Sequence, residues 1–261
     1  MADKFAVITG ASTGIGFELA HIAAAEGYDL LVVADEPLIE SAAGDFRSAG
    51  VDVQSVEADL STLDGVDRLL EAAGGRRIDV LCANAATGTG GAFLDQDVAA
   101  WRRAVDTNIT GTMYLLQRVL TDMVGRDDGK VLVTGSIAGY IPGSFNAVYN
   151  GTKAFIDNVT EAMRNEIKES KGVTLTTLMP GPTDTEFFAR ADMLDTQVGQ
   201  DPNKADPAKV ARDGWDALMA GKGHIVSGLK NKAQVLGAGI VPQSTLAEQH
   251  RKMAEPGSGD D

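Results

Sequence analysis

Short apolar runs alternate with longer amphipathic stretches along most of the chain. Residues 5–9 are apolar up to a terminal threonine and break into a glycine-rich segment, after which residues 17–26 carry apolar positions at helical spacing. Residues 29–34 form a second run, Leu30 to Val33, rich in branched aliphatics, and a helical pattern covers residues 37–49. Alternation of Val51, Val53 and Val56 marks a third strand, and a helix is predicted over residues 63–73. Residues 78–82 read as the fourth strand, and a long helix is predicted over 97–124 with a break near Asp106-Thr107-Asn108. Residues 130–134 and 173–178 supply two more strands, with a strongly periodic helix between them. Strands that alternate with helices in this way imply βαβ units and a parallel sheet wound on both faces. Residues 184–204 are polar and aperiodic between two helical patterns, as expected of a lid or substrate loop.

At 261 residues, with 44% hydrophobic positions and 30 glycines, the chain suits one globular domain with many tight turns. We expect a single catalytic domain over residues 1–255 and a flexible polar tail over 256–261. The net charge of −14 gives no basic footprint for nucleic acid or an anionic membrane. The lone Cys82 cannot form an internal disulfide, and no secretory signal precedes the first strand, so a cytoplasmic protein is expected. No run is apolar enough to span a bilayer. His21, His224 and His250 share no ligand spacing with Cys82, so no metal site is expected.

The first candidate chemistry is the loop after the first strand. Gly10, Gly14 and Gly16, with Ser12, Thr13 and Ile15 between them, join a strand to a helix. Glycines there permit a tight turn and let backbone N–H groups approach a pyrophosphate at the helix N-terminus. No Gly-Lys-Ser/Thr follows, so phosphoryl transfer is disfavoured against redox chemistry. Asp35 ends the second strand, where a carboxylate can accept hydrogen bonds from both hydroxyls of an adenosine ribose; alternatively it is a solvated acid at a helix start. Asp59, after the third strand, is placed to touch the adenine amino group, and Asn84-Ala85-Ala86, after the fourth, to lie beside the ribose. No arginine or lysine occurs between Gly16 and Gly44, and Glu36 adds a second acid, so NAD(H) is expected over NADP(H).

The second is Tyr149-Asn150-Gly151-Thr152-Lys153. Residues four apart share a helix face, and a lysine ammonium one turn from a phenol favours the phenolate. Such a pair alone also fits two surface residues. Ser136, after the strand at 130–134, can bind the same substrate oxygen. Phe187, Phe188 and Met193 either line a substrate pocket or pack a helix on the core.

Taken together, Thr9-Gly10-x-x-x-Gly14-Ile15-Gly16, Asp59-Leu60, Asn84-Ala85-Ala86, Asn108, Ser136, Tyr149-x-x-x-Lys153 and Pro180-Gly181-Pro182-Thr183-Asp184-Thr185 resemble the classical short-chain dehydrogenase/reductase family in order and spacing. The resemblance covers roughly residues 4–230. It implies a Rossmann-type sheet of about seven parallel strands, a nicotinamide cofactor, a small alcohol or carbonyl substrate and a homo-oligomer, tetramer or dimer. It implies that Ser136 orients the substrate oxygen and that Tyr149 exchanges its proton. Lys153 would hold the nicotinamide ribose and lower the tyrosine pKa, Asn108 would hold a relay water, and Thr185 would touch the carboxamide end of the cofactor. One departure is Ala86, where the family usually has glycine, which adds a methyl group near the cofactor ribose. Residues 231–253 match no motif. The expected activity is alcohol–carbonyl interconversion by hydride transfer. An NAD-using epimerase or dehydratase, whose usual larger C-terminal substrate domain finds no room here, and a catalytically idle NAD-sensing or scaffold protein are the alternatives.

Overall fold

The computed structural model describes residues 4–259. Seven strands form one fully parallel sheet: β1 (Phe5–Thr9), β2 (Asp29–Ala34), β3 (Val53–Glu57), β4 (Val80–Ala83), β5 (Gly129–Thr134), β6 (Val173–Met179) and β7 (His224–Val226). The helices are α1 (Gly14–Ala25), α2 (Leu38–Arg47), α3 (Leu63–Ala72), α4 (Val98–Val105), α5 (Thr112–Gly125), α6 (Ala147–Glu166), α7 (Phe187–Arg190), α8 (Gln197–Gln200), α9 (Pro207–Met219), α10 (Leu229–Ala238) and α11 (Gln243–Ala254). The spatial order β3-β2-β1-β4-β5-β6-β7 reverses direction between β1 and β4. A crevice opens at that switch point, beyond the carboxyl ends of the two strands. This is the Rossmann-type doubly wound α/β fold expected from the sequence.

Side chains alternate across the pleat, so one strand feeds two cores. Ala6 and Ile8 of β1 pack with Leu19, Phe46 and Trp215 from the α1, α2 and α9 side. Phe5 and Val7 pack on the other face with Leu69, Leu116 and Ile156 from α3, α5 and α6. Burial on both faces explains why the strands read as continuous apolar runs rather than as alternating patterns. A third, smaller core joins Phe188, Ala191 and Met193 to Ala254 of α11.

The break expected near Asp106 is a wide π-helical turn, Asp106–Gly111, between α4 and α5. Residues 184–204 are more ordered than a plain loop, since α7 and α8 lie within them and Thr183 pairs with Ala205. Four-residue helices are too short to show a period, which is why the sequence pattern missed them. The C-terminal segment makes defined contacts. The Gly257 and Gly259 amides donate to the Asp195 carboxylate and carbonyl at 2.8 and 2.9 Å, and the Ser258 hydroxyl accepts from the Gln197 amide at 3.1 Å. Residues 256–259 are thus tied to the segment before α8, while 260–261 lie outside the described residues. Among the described residues no helix is long and apolar enough to cross a membrane.

Candidate active site

The glycine loop forms one wall of the main cavity. Gly10 and Gly14 take φ of +65° and +61°, a left-handed backbone that disfavours any side chain. A Cβ on Gly16 would overlap the Gly10 carbonyl oxygen, so the third glycine packs α1 under the loop rather than facing the cavity. Thr185 closes over Gly14, where an added Cβ would stand 2.9 Å from its methyl carbon. The result is a bare-backbone cradle at the N-terminus of α1, which fits a pyrophosphate.

Asn84 fastens the strand ends behind this cradle. Its Nδ2 donates to the carbonyls of Thr9 and Gly10 at 3.1 and 3.3 Å, and its Oδ1 accepts from the Thr134 hydroxyl at 3.0 Å. Thr9 Oγ1 accepts from the Asn84 and Ala85 amides, both at 2.9 Å. Asn84 lines the cavity with Ala85 and Ala86, but its amide is engaged in joining β1, β4 and β5.

At the end of β2 the acids have partners that sequence spacing did not indicate. Arg103 of α4 reaches back to donate to Asp35 Oδ2 at 2.6 Å and to Asp59 Oδ2 at 2.8 Å. Arg190 of α7 donates to Glu36 Oε1 at 2.8 Å, and the Ser12 hydroxyl donates to the same oxygen at 2.5 Å. The carboxylates expected to stand unopposed are therefore each paired with a guanidinium. Both arginines are remote in sequence from the second strand, so local spacing gave no sign of them. Burial of Asp59 is outweighed by the Ser61 amide and Arg103, which hold its carboxyl below the usual range.

Toward the other end, Ser136 follows β5 and caps a short 3₁₀ turn, Ile137–Tyr140, by accepting from the Ala138 amide at 3.1 Å. Tyr149 and Lys153 lie one turn apart on α6, and both line the cavity with Ser136. Lys153 is 4% exposed and donates to the Thr134 carbonyl at 2.7 Å. Its Nζ stands 5.7 Å from the Tyr149 ring centroid. Surrounding protein pushes the Tyr149 phenol above its usual range; the Ser136 hydroxyl opposes this, and the nearby Asp157 carboxylate adds to it. Asn108 sits in the π turn, 2% exposed, and does not line the cavity. Its Nδ2 donates to Thr87 O at 2.8 Å and Thr152 Oγ1 at 2.9 Å, and its Oδ1 accepts from the Thr87 amide at 2.9 Å.

The remaining expected residues, Leu60, Pro180, Gly181 and Thr183, also border the cavity. Phe187 packs on Tyr149 with ring centroids 4.8 Å apart, and Phe188 and Met193 both line the pocket and pack in the third core. Phe188 and Met193 thus serve cavity wall and core at once. Gln234, His250 and Met253 complete the wall from α10 and α11, and were missed. The available signal was Leu246, His250 and Ala254 at four-residue spacing, all buried on one face of α11. His250 Nδ1 lies 2.8 Å from the Ser144 carbonyl, to which only a protonated nitrogen can donate, and burial lowers its pKa.

Comparison with known proteins identifies relatives of this chain. An uncharacterized oxidoreductase of Staphylococcus saprophyticus is 30% identical over 225 residues, covering 84% of this chain and 92% of the relative. A short-chain dehydrogenase from Sphingobium yanoikuyae, solved in complex with NADPH, superposes with a TM-score of 0.80 at 25% identity, covering 92% of this chain and 97% of that one. A short-chain dehydrogenase/reductase from Burkholderia phymatum in complex with NAD shares the fold, with a TM-score of 0.81 at 23% identity, covering 90% and 92%. The short chain dehydrogenase family model matches residues 4–194, and the chain belongs to that family of oxidoreductases.

Proposed function

We propose that this protein is an NAD(P)-dependent oxidoreductase that interconverts an alcohol and a ketone or aldehyde. The observation that carries the reading is the convergence of Ser136, Tyr149 and Lys153 on one cavity that also contains the Gly10–Gly14 cradle. The cradle fits a dinucleotide pyrophosphate, because backbone rather than side chain fills its floor. A bound nicotinamide supplies or accepts the hydride. The chain's own residues handle the oxygen. Ser136 hydrogen-bonds it, and Tyr149 gives up its phenolic proton in reduction or takes one in oxidation. Lys153, anchored at Thr134 O, holds the nicotinamide ribose and supplies the positive charge that favours the phenolate. Asn108 braces the Thr87 loop and the Thr152 hydroxyl of α6 against each other.

NADH is favoured over NADPH in this reading, through Asp35 and Glu36. Arg103 and Arg190 narrow the margin, since each neutralises one of those acids. We place the preference at about tenfold, or about 1.4 kcal/mol. Family resemblance also supports a homo-oligomer, which light scattering on the purified protein would size.

The test is a panel of ketones, aldehydes and secondary alcohols, followed by nicotinamide absorbance with each cofactor. Turnover of a carbonyl or alcohol that disappears in Tyr149→Phe supports the reading. Tight cofactor binding with no turnover across the panel would favour an idle sensor instead.

A further inference from the structure

Behind the Ser136 turn lies a carboxylate that the reaction above leaves unused. Asp157 follows Lys153 by one turn of α6 and does not line the cavity. Both its carboxylate oxygens are buried, and neither has a hydrogen bond of full geometry; the Ser136 main-chain amide gives it only weak support. Two glycines make the space it occupies. A Cβ at Gly135 would overlap Asp157 Oδ1, and one at Gly139 would stand 2.6 Å from Oδ2. The turn that presents Ser136 is thus built around this side chain.

A buried carboxylate with so few donors is stable as an anion only beside an opposite charge. The groups that face it are few. On its own helix these are Lys153, the Tyr149 phenol and, further along, Glu161 with Arg164, whose guanidinium is engaged with Glu161, the Leu175 carbonyl and the Thr177 hydroxyl; from the 3₁₀ turn there is the Tyr140 phenol. Gly135 of the turn and Thr177 of β6 carry no charge. On α4, which also packs against α6, Arg103 is engaged with Asp35 and Asp59, and Arg102 with Asp106. Lys153 is the cation left to balance Asp157, and Asp157 is the acid that acts on Lys153.

We propose that Asp157 is the counter-ion of Lys153, a positioning residue that keeps the lysine an ammonium from the side remote from the cofactor cavity. Its bearing on turnover rests on the role given to Lys153 above. Burial pushes the Lys153 amine down and the Asp157 carboxyl up, and the attraction between them opposes both movements. The chain pattern Tyr149, Lys153, Asp157 is then one functional row: phenol, ammonium and carboxylate on a single helix face.

The test reads the lysine directly. Lys153 lines the cavity and reacts with acetic anhydride only when neutral, so its labelling against pH, followed by mass spectrometry, gives its titration midpoint without cofactor or substrate. In Asp157→Asn the midpoint should fall by about one pH unit or more, and loss of NADH affinity on the alkaline side should move down with it. Asp157→Ser, a smaller side chain, provides a second background should the asparagine fold poorly. A midpoint unchanged in the folded variant, with only thermal stability lowered, would overturn the proposal and leave Asp157 a packing residue. A midpoint that moves while NADH affinity ignores it would support the ion pair and refute the ribose-binding role of Lys153, so the two readings fail separately.

Discussion

Lys153 donates to the carbonyl of Thr134 at 2.7 Å, and so its amine is fixed to the end of β5. That bond sets the height of the charge above the crevice and ties α6 to the sheet one turn from Tyr149. Preorganisation of this kind is worth most in a site shielded from water.

Tyr149→Phe should keep the fold and the cofactor affinity while lowering turnover by about 10² to 10⁴, the span usual for loss of a general acid. Steady-state kinetics, with NADH affinity from fluorescence titration, would check it. Turnover within a few-fold of the parent would remove Tyr149 from the reaction.

Lys153→Ala should weaken NADH binding as well as turnover. In alcohol oxidation the phenolate is the active form, so rates rise with pH through the Tyr149 titration. Burial already raises that phenol, and removing the ammonium raises it further, so the acidic limb should move to higher pH. A pH–rate profile and an NADH dissociation constant both equal to the parent's would contradict the assignment.

Arg103→Gln frees Asp35 and Asp59 from their shared guanidinium. A free Asp35 repels a 2′-phosphate more strongly and still accepts from a 2′-hydroxyl. The ratio of kcat/KM for NADH to that for NADPH should therefore rise, by about threefold to tenfold given the partial exposure of the pair. A fall in the ratio would mean that Arg103 serves Asp35 less than it serves NADH itself.

His250 gives the fold an acid sensitivity with a definite sign. Burial lowers its pKa, so the unfolded chain binds more protons than the folded one in the window just below the ordinary histidine value. Stability from this group is complete above that value and is lost as pH falls toward the depressed folded pKa. Thermal melts from pH 7.5 to 5 should show the parent losing more than His250→Gln. Parallel curves would show that His250 protonates equally in both states.

The chemistry most legible in the sequence is local. Gly10 to Gly16, Tyr149 with Lys153, and the break at Asp106 are each contained within about two helical turns, so spacing alone exposes them. Arg103 and Arg190 were invisible because they meet Asp35 and Glu36 only through the winding of the sheet, which brings α4 and α7 over the end of β2. The bracing part of Asn84 is not local, since its hydrogen bonds to Thr9, Gly10 and Thr134 exist only after β1, β4 and β5 align. His250 and Met253 were lost for another reason. A cavity wall needs bulk in one place and follows no motif, so only packing identifies α11 as part of it.

The π turn at Asp106–Gly111 carries one residue more than a regular helix would hold. It acts as a phase adjuster, since each helical residue turns the following face by about 100°. α4 must aim Arg103 at the end of β2, while the turn itself must aim Asn108 at Thr87 and Thr152. A uniform α-helix through this stretch would swing one set of contacts away whenever the other was satisfied. The extra residue decouples the two, so that Arg103 and Asn108 are aimed independently of each other.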